Sequence, residues 1–192
     1  GTVSSANSLV GTTDYDQVGA NGVTALTNGN YVVSSPYWEN GAAINAGAVT
    51  WGNGATGTTG AVTTSNSLVG SQASDEIGFF STTALSNGNY VVNSAYWANG
   101  ANTQTGAATL GSGTSGVSGP ISTANSIIGP SATAGFYNVV DDSAEGTFIA
   151  PFSVAGKIYV ASSSTDINGL TSSFFPNTDF TLTRLPHSGD IL

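Results

Sequence analysis

The strongest constraint on this chain is a pentapeptide that returns twice at one spacing. Asn7-Ser8-Leu9-Val10-Gly11 recurs as Asn66-Ser67-Leu68-Val69-Gly70 and again as Asn125-Ser126-Ile127-Ile128-Gly129, each copy 59 residues after the last. In the same frame Ala25-Leu26-Thr27-Asn28-Gly29-Asn30-Tyr31-Val32-Val33 returns as Ala84-Leu85-Ser86-Asn87-Gly88-Asn89-Tyr90-Val91-Val92. Tyr37-Trp38-Glu39-Asn40-Gly41 likewise returns as Tyr96-Trp97-Ala98-Asn99-Gly100. A chain with this periodicity folds as an array of like units, each burying its apolar surface against the next. The expected boundaries are 1–6 for the end of a preceding repeat, 7–65 for repeat 1, 66–124 for repeat 2, and 125–192 for a degenerate repeat 3 with an insertion and a C-terminal tail. Gly1-Thr2-Val3 aligns with Gly60-Ala61-Val62, so further units are expected upstream in the parent protein. In repeat 3, Tyr159-Val160-Ala161-Ser162-Ser163 resembles Tyr31-Val32-Val33-Ser34-Ser35, with Asn168-Gly169 standing for Asn40-Gly41. That alignment places an insertion around residues 141–156.

Each unit reads as short strands separated by turns. Residues 23–26 and 31–34 flank Thr27-Asn28-Gly29-Asn30, where Asn-Gly supplies the positive φ of a tight hairpin. Residues 48–51 form a third run and 60–64 a fourth. Apolar residues nowhere keep a helical period, and 26 glycines weigh against helix. The expected fold class is all-β, with repeated four-stranded antiparallel blade-like sheets of β-propeller type, partial or completed by oligomerisation. Residues 180–185 alternate like a further strand before a Pro-His-Ser-Gly-Asp tail.

The run from Val18-Gly19 through the Asn-Gly hairpin and Ser35-Pro36 to Ala46-Gly47-Ala48-Val49-Thr50-Trp51 resembles the FG-GAP repeat of integrin-α-type β-propellers. The likeness spans about residues 16–116 in two copies. It is similar also to a bacterial repeat of large secreted or surface proteins, with NSLVG and LTNGNYVV as its signatures. The resemblance implies a propeller and an extracellular setting. Val18 and Ile77 stand where that repeat has phenylalanine, Ser35-Pro36 replaces its Gly-Ala-Pro, and its acidic calcium loop is missing. Closed propellers carry about four to eight blades. About three such units leave sheet edges open, which favours self-association into a homo-oligomer or filament.

Only Lys157 and Arg184 are basic, against eleven acidic residues, a net charge of −9. Such a chain cannot neutralise a run of phosphates, which excludes nucleic acid as a partner. No apolar stretch approaches the ~20 residues of a membrane span, so membrane insertion is not expected, and the first residues lack a secretory pattern. They read as a processed or excised segment. Charged residues make up 7% of the chain, against about a quarter in ordinary domains, so its wet surface is built from hydroxyl and amide groups. With no Cys and no Met, the composition suits secretion or the cell surface, with glycans or cell-surface proteins as further partners.

Candidate sites are few. Asp14 and Asp16 have the alternate spacing by which a loop aims two carboxylates at calcium, and repeat 2 keeps Asp75 beside Glu76. Calcium is therefore the one cofactor the acidic spacing allows, against a turn role for these residues. Asp141, Asp142 and Glu145 form a lesser acidic group. Tyr37, Trp38 and Asn40, with Tyr96, Trp97 and Asn99, offer aromatic faces and amides suited to a sugar, or else pack between sheets. The single histidine, His187, sits in the tail without a partner for acid–base chemistry, so no enzyme is expected. Gly52-Asn53-Gly54-Ala55-Thr56-Gly57 matches a phosphate-loop spelling but precedes no helix and reads as a turn.

Overall fold

The computed structural model describes residues 1–136 and 138–164. Every regular element in them is a strand, and no sheet closes into a barrel. Residues 168–169 and 180–185, Arg184 and His187 lie outside the described residues.

The first sheet grows from the Asn-Gly hairpin. β2 (Val23–Ala25) pairs antiparallel with β3 (Tyr31–Ser35), and Gly29 at φ 88° makes the turn between them. β3 pairs in turn with β4 (Ala48–Gly52), with Val33 opposite Thr50 and Ser35 opposite Ala48. The fourth strand is not the expected 60–64 run of the same unit. β6 (Ser67–Val69), from the Asn-Ser-Leu-Val-Gly motif of the next unit, lies antiparallel on β4 with Val49 opposite Leu68. The 60–64 run instead forms β5 (Gly60–Ala61), which turns away and pairs in parallel with β1 (Leu9–Val10). The second and third units thus each hand their first strand to the sheet of the unit before.

The second sheet repeats the plan, with β7 (Thr83–Ala84), β8 (Tyr90–Ser94) and β9 (Ala107–Gly111) closed by β11 (Ser126–Ile128). β10 (Gly119–Pro120) reaches back to add to β6 in parallel, so the first sheet has the order β10-β6-β4-β3-β2. The third sheet is β12 (Val140–Asp142), β13 (Thr147–Phe152) and β14 (Lys157–Ser162), antiparallel throughout.

The third unit differs from its expected form. Residues 159–163 do not occupy the place of Tyr31–Ser35. β13 pairs with both β12 and β14, as β8 pairs with β7 and β9, so β14 corresponds to β9. The connection of residues 95–106 between β8 and β9 is cut to residues 153–156 between β13 and β14. A shortened turn, rather than an insertion at 141–156, makes this unit irregular.

Register assigns the faces. On the first sheet Val32, Val49 and Leu68 point one way, and they share a core with Tyr90, Val92 and Ala107 of the second sheet. Val91, Ala108 and Ile127 on the second sheet's far side pack with Phe148, Ala150 and Phe152 of the third. Both faces of the second sheet are therefore buried by its neighbours. Each fully buried Val, Leu or Phe in these layers contributes about 1.5–3 kcal/mol, which no unit could gain alone.

Candidate functional site: the junction between units

The most highly built feature of the molecule is the contact from one unit to the next. In the first hairpin the amides of Asn28 and Asn30 each donate from Nδ2 to the Gly113 carbonyl of the following unit at 2.8 Å. The Trp51 indole donates to the same oxygen at 3.0 Å. One unit later Asn87 and Asn89 donate to the Ser163 carbonyl, each at 2.8 Å. The asparagines that the sequence marks as turn residues also clamp neighbouring units together. Close approach demands glycine here: a Cβ on Gly113 would run into the Gly88 carbonyl and the Asn28 amide. Asn21 adds a further tie, donating to the carbonyls of Gly78 and Phe79 at 2.8 and 2.7 Å.

The motif asparagines are loop staples. Asn66 accepts from the Thr63 amide at 2.9 Å and donates to the Ala61 carbonyl at 2.9 Å, fixing β5 against β6. Asn7 does the same with Ser4 and Thr2, and Asn125 with Ser122 and Pro120. Paired hydroxyls continue the pattern inside the sheets, Thr50 with Ser67 at 2.7 Å and Thr109 with Ser126 at 2.6 Å. A buried hydroxyl left unpaired costs free energy, and each pair removes that cost for both partners.

Asp16 and Asp75 occupy equivalent, buried positions and do the same work. Asp16 accepts from the amides of Thr12, Thr13 and Glu39 and from the Thr13 hydroxyl. Asp75 accepts from the amides of Ser71, Gln72 and Ala98. Each carboxylate ties the loop after its Ser-Leu-Val strand to the backbone just beyond the Tyr-Trp pair. Burial pushes Asp75 above its ordinary value despite its three amide donors. At Asp16 burial also pulls upward, but the Thr13 hydroxyl and amide with the Glu39 and Thr12 amides outweigh it, and the carboxyl falls below its ordinary value. Asp14 is exposed and stands apart from this bonding. Among the described residues no group of three or more His, Cys, Asp or Glu side chains is placed to hold a metal ion. Asp141, in the lesser acidic group, accepts from the Ser86 amide at 2.9 Å, and Asp142 from the Glu145 amide at 3.4 Å.

Trp38 and Trp97 are 4% exposed, so neither offers a ring face to a sugar. Trp97 packs in the core between the first two sheets and Trp38 against Ala48, Val62 and Val69. Their indole N–H groups find no protein acceptor, unlike that of Trp51. Asn40 and Asn99 open tight turns with Gly41 and Gly100 at φ 62°, and the Asn40 amide donates to the Gly70 carbonyl. Tyr37 is half-buried, while Tyr96 meets Phe79 and Phe80 at ring separations of 5.4 and 5.0 Å. Phe79 and Phe80 fall where the first unit has Ala20 and Asn21, so the repeat pattern gave no reason to single them out. The Gly52–Gly57 segment is the expected turn, with Asn53 accepting from the amides of Ala55 and Thr56.

Stacked sheets that exchange strands between successive units define an all-β repeat array. The chain belongs to the family described as a repeat of unknown function, DUF5650, which matches residues 1–20, 25–79 and 84–136. No curated protein and no solved structure matches it. The family match ends at Phe136, just before the third sheet, where the shortened unit departs from the pattern.

Proposed function

We propose that this chain is a structural and adhesive repeat protein of the cell surface or the secreted space. It presents a charge-poor β surface and associates with itself through open strand edges. The observation that carries this reading is the handing of the Ser67–Val69 and Ser126–Ile128 strands from the second and third units to the sheets of the units before them. Chains built this way interlock by main-chain hydrogen bonds, the mechanism of β-strand addition. The stacked sheets favour a blade-like arrangement of the type seen in integrin-α propellers, open here instead of closed. The buried Trp38 and Trp97 favour packing over a lectin role for the Tyr-Trp-Asn-Gly segments. So few charges leave little for salt to screen, and association between copies is expected to change little with ionic strength. Sedimentation velocity from low-micromolar to submillimolar protein, at low and high salt, tests this. Growth of the sedimentation coefficient with concentration at both salts is expected. A monomer over the whole range removes the self-associating reading.

A further inference from the structure

The described residues contain six Asn-Gly pairs, at 21–22, 28–29, 40–41, 53–54, 87–88 and 99–100. Such a pair can modify itself in water. The glycine nitrogen attacks Cγ of the asparagine, its proton leaves with the side-chain NH2 group as ammonia, and a succinimide ring remains. Water then opens the ring at either carbonyl. One opening gives aspartate; the other gives isoaspartate, with the main chain routed through Cγ. Glycine has no Cβ to hinder the approach of its nitrogen, so this dipeptide closes most readily. Ring closure needs a free glycine N–H and an asparagine amide free to turn.

The structure withholds one or both conditions at five of the six pairs. Four of the nucleophiles are already committed: Gly22, Gly29 and Gly88 donate to the carbonyls of Gly19, Leu26 and Leu85, and Gly54 donates to Asn30 Oδ1. The amides beside them are held too. Asn28 and Asn87 are bonded at both ends, donating across the unit junction and accepting at 3.1 Å from the amides of Asn30 and Asn89. Asn21 donates to two carbonyls, and Asn53 accepts from two amides. The nitrogens of Gly41 and Gly100 make no hydrogen bond among the described residues. At the first of these the Asn40 amide is tied to the Gly70 carbonyl at 2.9 Å. The equivalent carbonyl for Asn99 is that of Gly129, and Asn99 does not bond to it.

We infer that Asn99-Gly100 is a self-modifying site, the one described Asn-Gly pair at which nucleophile and amide are both unrestrained. Asn99 and Gly100 are exposed, and the space around Gly100 is open to the water that completes the reaction. Conversion adds a negative charge to a chain already at −9. Isoaspartate also lengthens the main chain within a turn that Asn99 and Asn102 close by bonds of 3.0 and 3.1 Å. That turn adjoins Trp97 and the Ala98 amide bound by Asp75, so the altered backbone loosens the buried pin of the second unit.

The full chain is incubated in mildly alkaline heavy-oxygen water, folded and in denaturant, and each Asn-Gly peptide is followed by mass spectrometry for conversion with label uptake. In denaturant the six pairs are expected to react at similar rates. In the folded protein Asn99 is expected to convert at least about tenfold faster than Asn21, Asn28, Asn53 or Asn87, since each of these must first break two or more hydrogen bonds. Asn40, with one bond to break, falls between. Conversion of Asn99 as slow as at those four pairs overturns the inference. Conversion of Asn40 as fast as Asn99 overturns the part given to the amide bond, and a ranking unchanged in denaturant shows that local sequence, not the fold, selects the site.

Discussion

The second and third units solve one packing problem by different chemistry. In the second, the loop that follows the Ser-Leu-Val strand is held by the buried Asp75 carboxylate, which collects the amides of Ser71, Gln72 and Ala98. In the third, the carboxylate and two of its three donors have gone together. Ala134 stands at the carboxylate position, Pro130 replaces Ser71 and has no N–H to donate, and the connection that bears Ala98 is cut to residues 153–156. The short turn bonds the loop directly instead, with the Ser153 amide donating to Gly135 and the Ala155 amide to Ala134. Phe136 stacks on Phe152 at 4.8 Å, and Phe152 meets Tyr159 edge-on at 5.4 Å. A buried carboxylate is worth keeping only while buried amides need an acceptor. The pin is therefore a property of the long connection, not of the repeat as such.

The comparison can be broken most severely at the tryptophan that the long connection carries. Trp97→Ala is expected to cost about 3–5 kcal/mol in urea unfolding, because it empties the core between the first two sheets. Trp97→Phe should cost much less, since the indole N–H has no acceptor to lose. A loss in Trp97→Phe as large as in Trp97→Ala would contradict that packing account.

Next in size is the pin itself. Asp75→Ala orphans three amides at about 1–3 kcal/mol for each group left without a partner. Copying the third unit's solution by adding Ser71→Pro should make the double variant lose less than the sum of the two single losses, because one orphan donor disappears. Strict additivity in the double-mutant cycle would separate Pro130 from the loss of the carboxylate.

The clamps sharpen the comparison on a smaller scale. Asn28→Ala and Asn87→Ala should each cost about 0.5–1.5 kcal/mol in equilibrium unfolding. The first is expected to be the milder, because Asn30 and Trp51 still donate to the Gly113 carbonyl.

Acidity gives the smallest effect, and the two aspartates carry opposite signs. The folded carboxyl of Asp16 lies below its ordinary value of 3.8, so its stabilisation is present above that pH and is lost as pH falls through the folded value. That of Asp75 lies above 3.8, so its contribution is full below that pH and is lost as pH rises through the folded value. Unfolding midpoints measured across the acid range should show the acid-side loss reduced in Asp16→Asn and retained in Asp75→Asn. The reverse pattern would exchange the roles of the two sites.

Much of this was legible in the residues. The spacing of the pentapeptides and of Asn28-Gly29 and Asn87-Gly88 marks the units and their hairpins, because φ > 0 at a tight turn selects glycine and leaves a trace. The burial of Trp38 and Trp97 follows from their size. The turn role of Asp16 and Asp75 was legible as the alternative to calcium, but their reach to the amides of Glu39 and Ala98 was not, because a backbone N–H is a donor that every residue but proline possesses. The third unit misled the alignment for a related reason: Tyr-Val-Ala-Ser-Ser serves equally well as the second or third strand of a meander, and only its pairing with β13 places it.

By itself the sequence determined that the protein is an all-β repeat array and where its hairpins reverse, since these depend on local turn chemistry and on side-chain alternation along single strands. Only the tertiary structure decided which unit completes which sheet, that β5 and β10 each run parallel to the first strand of their own unit, and that the hairpin asparagines reach across to the next unit. Strand pairing is made by main-chain groups that are alike at every position. The choice among edges therefore falls to the packing of whole sheets, which no local stretch of residues encodes.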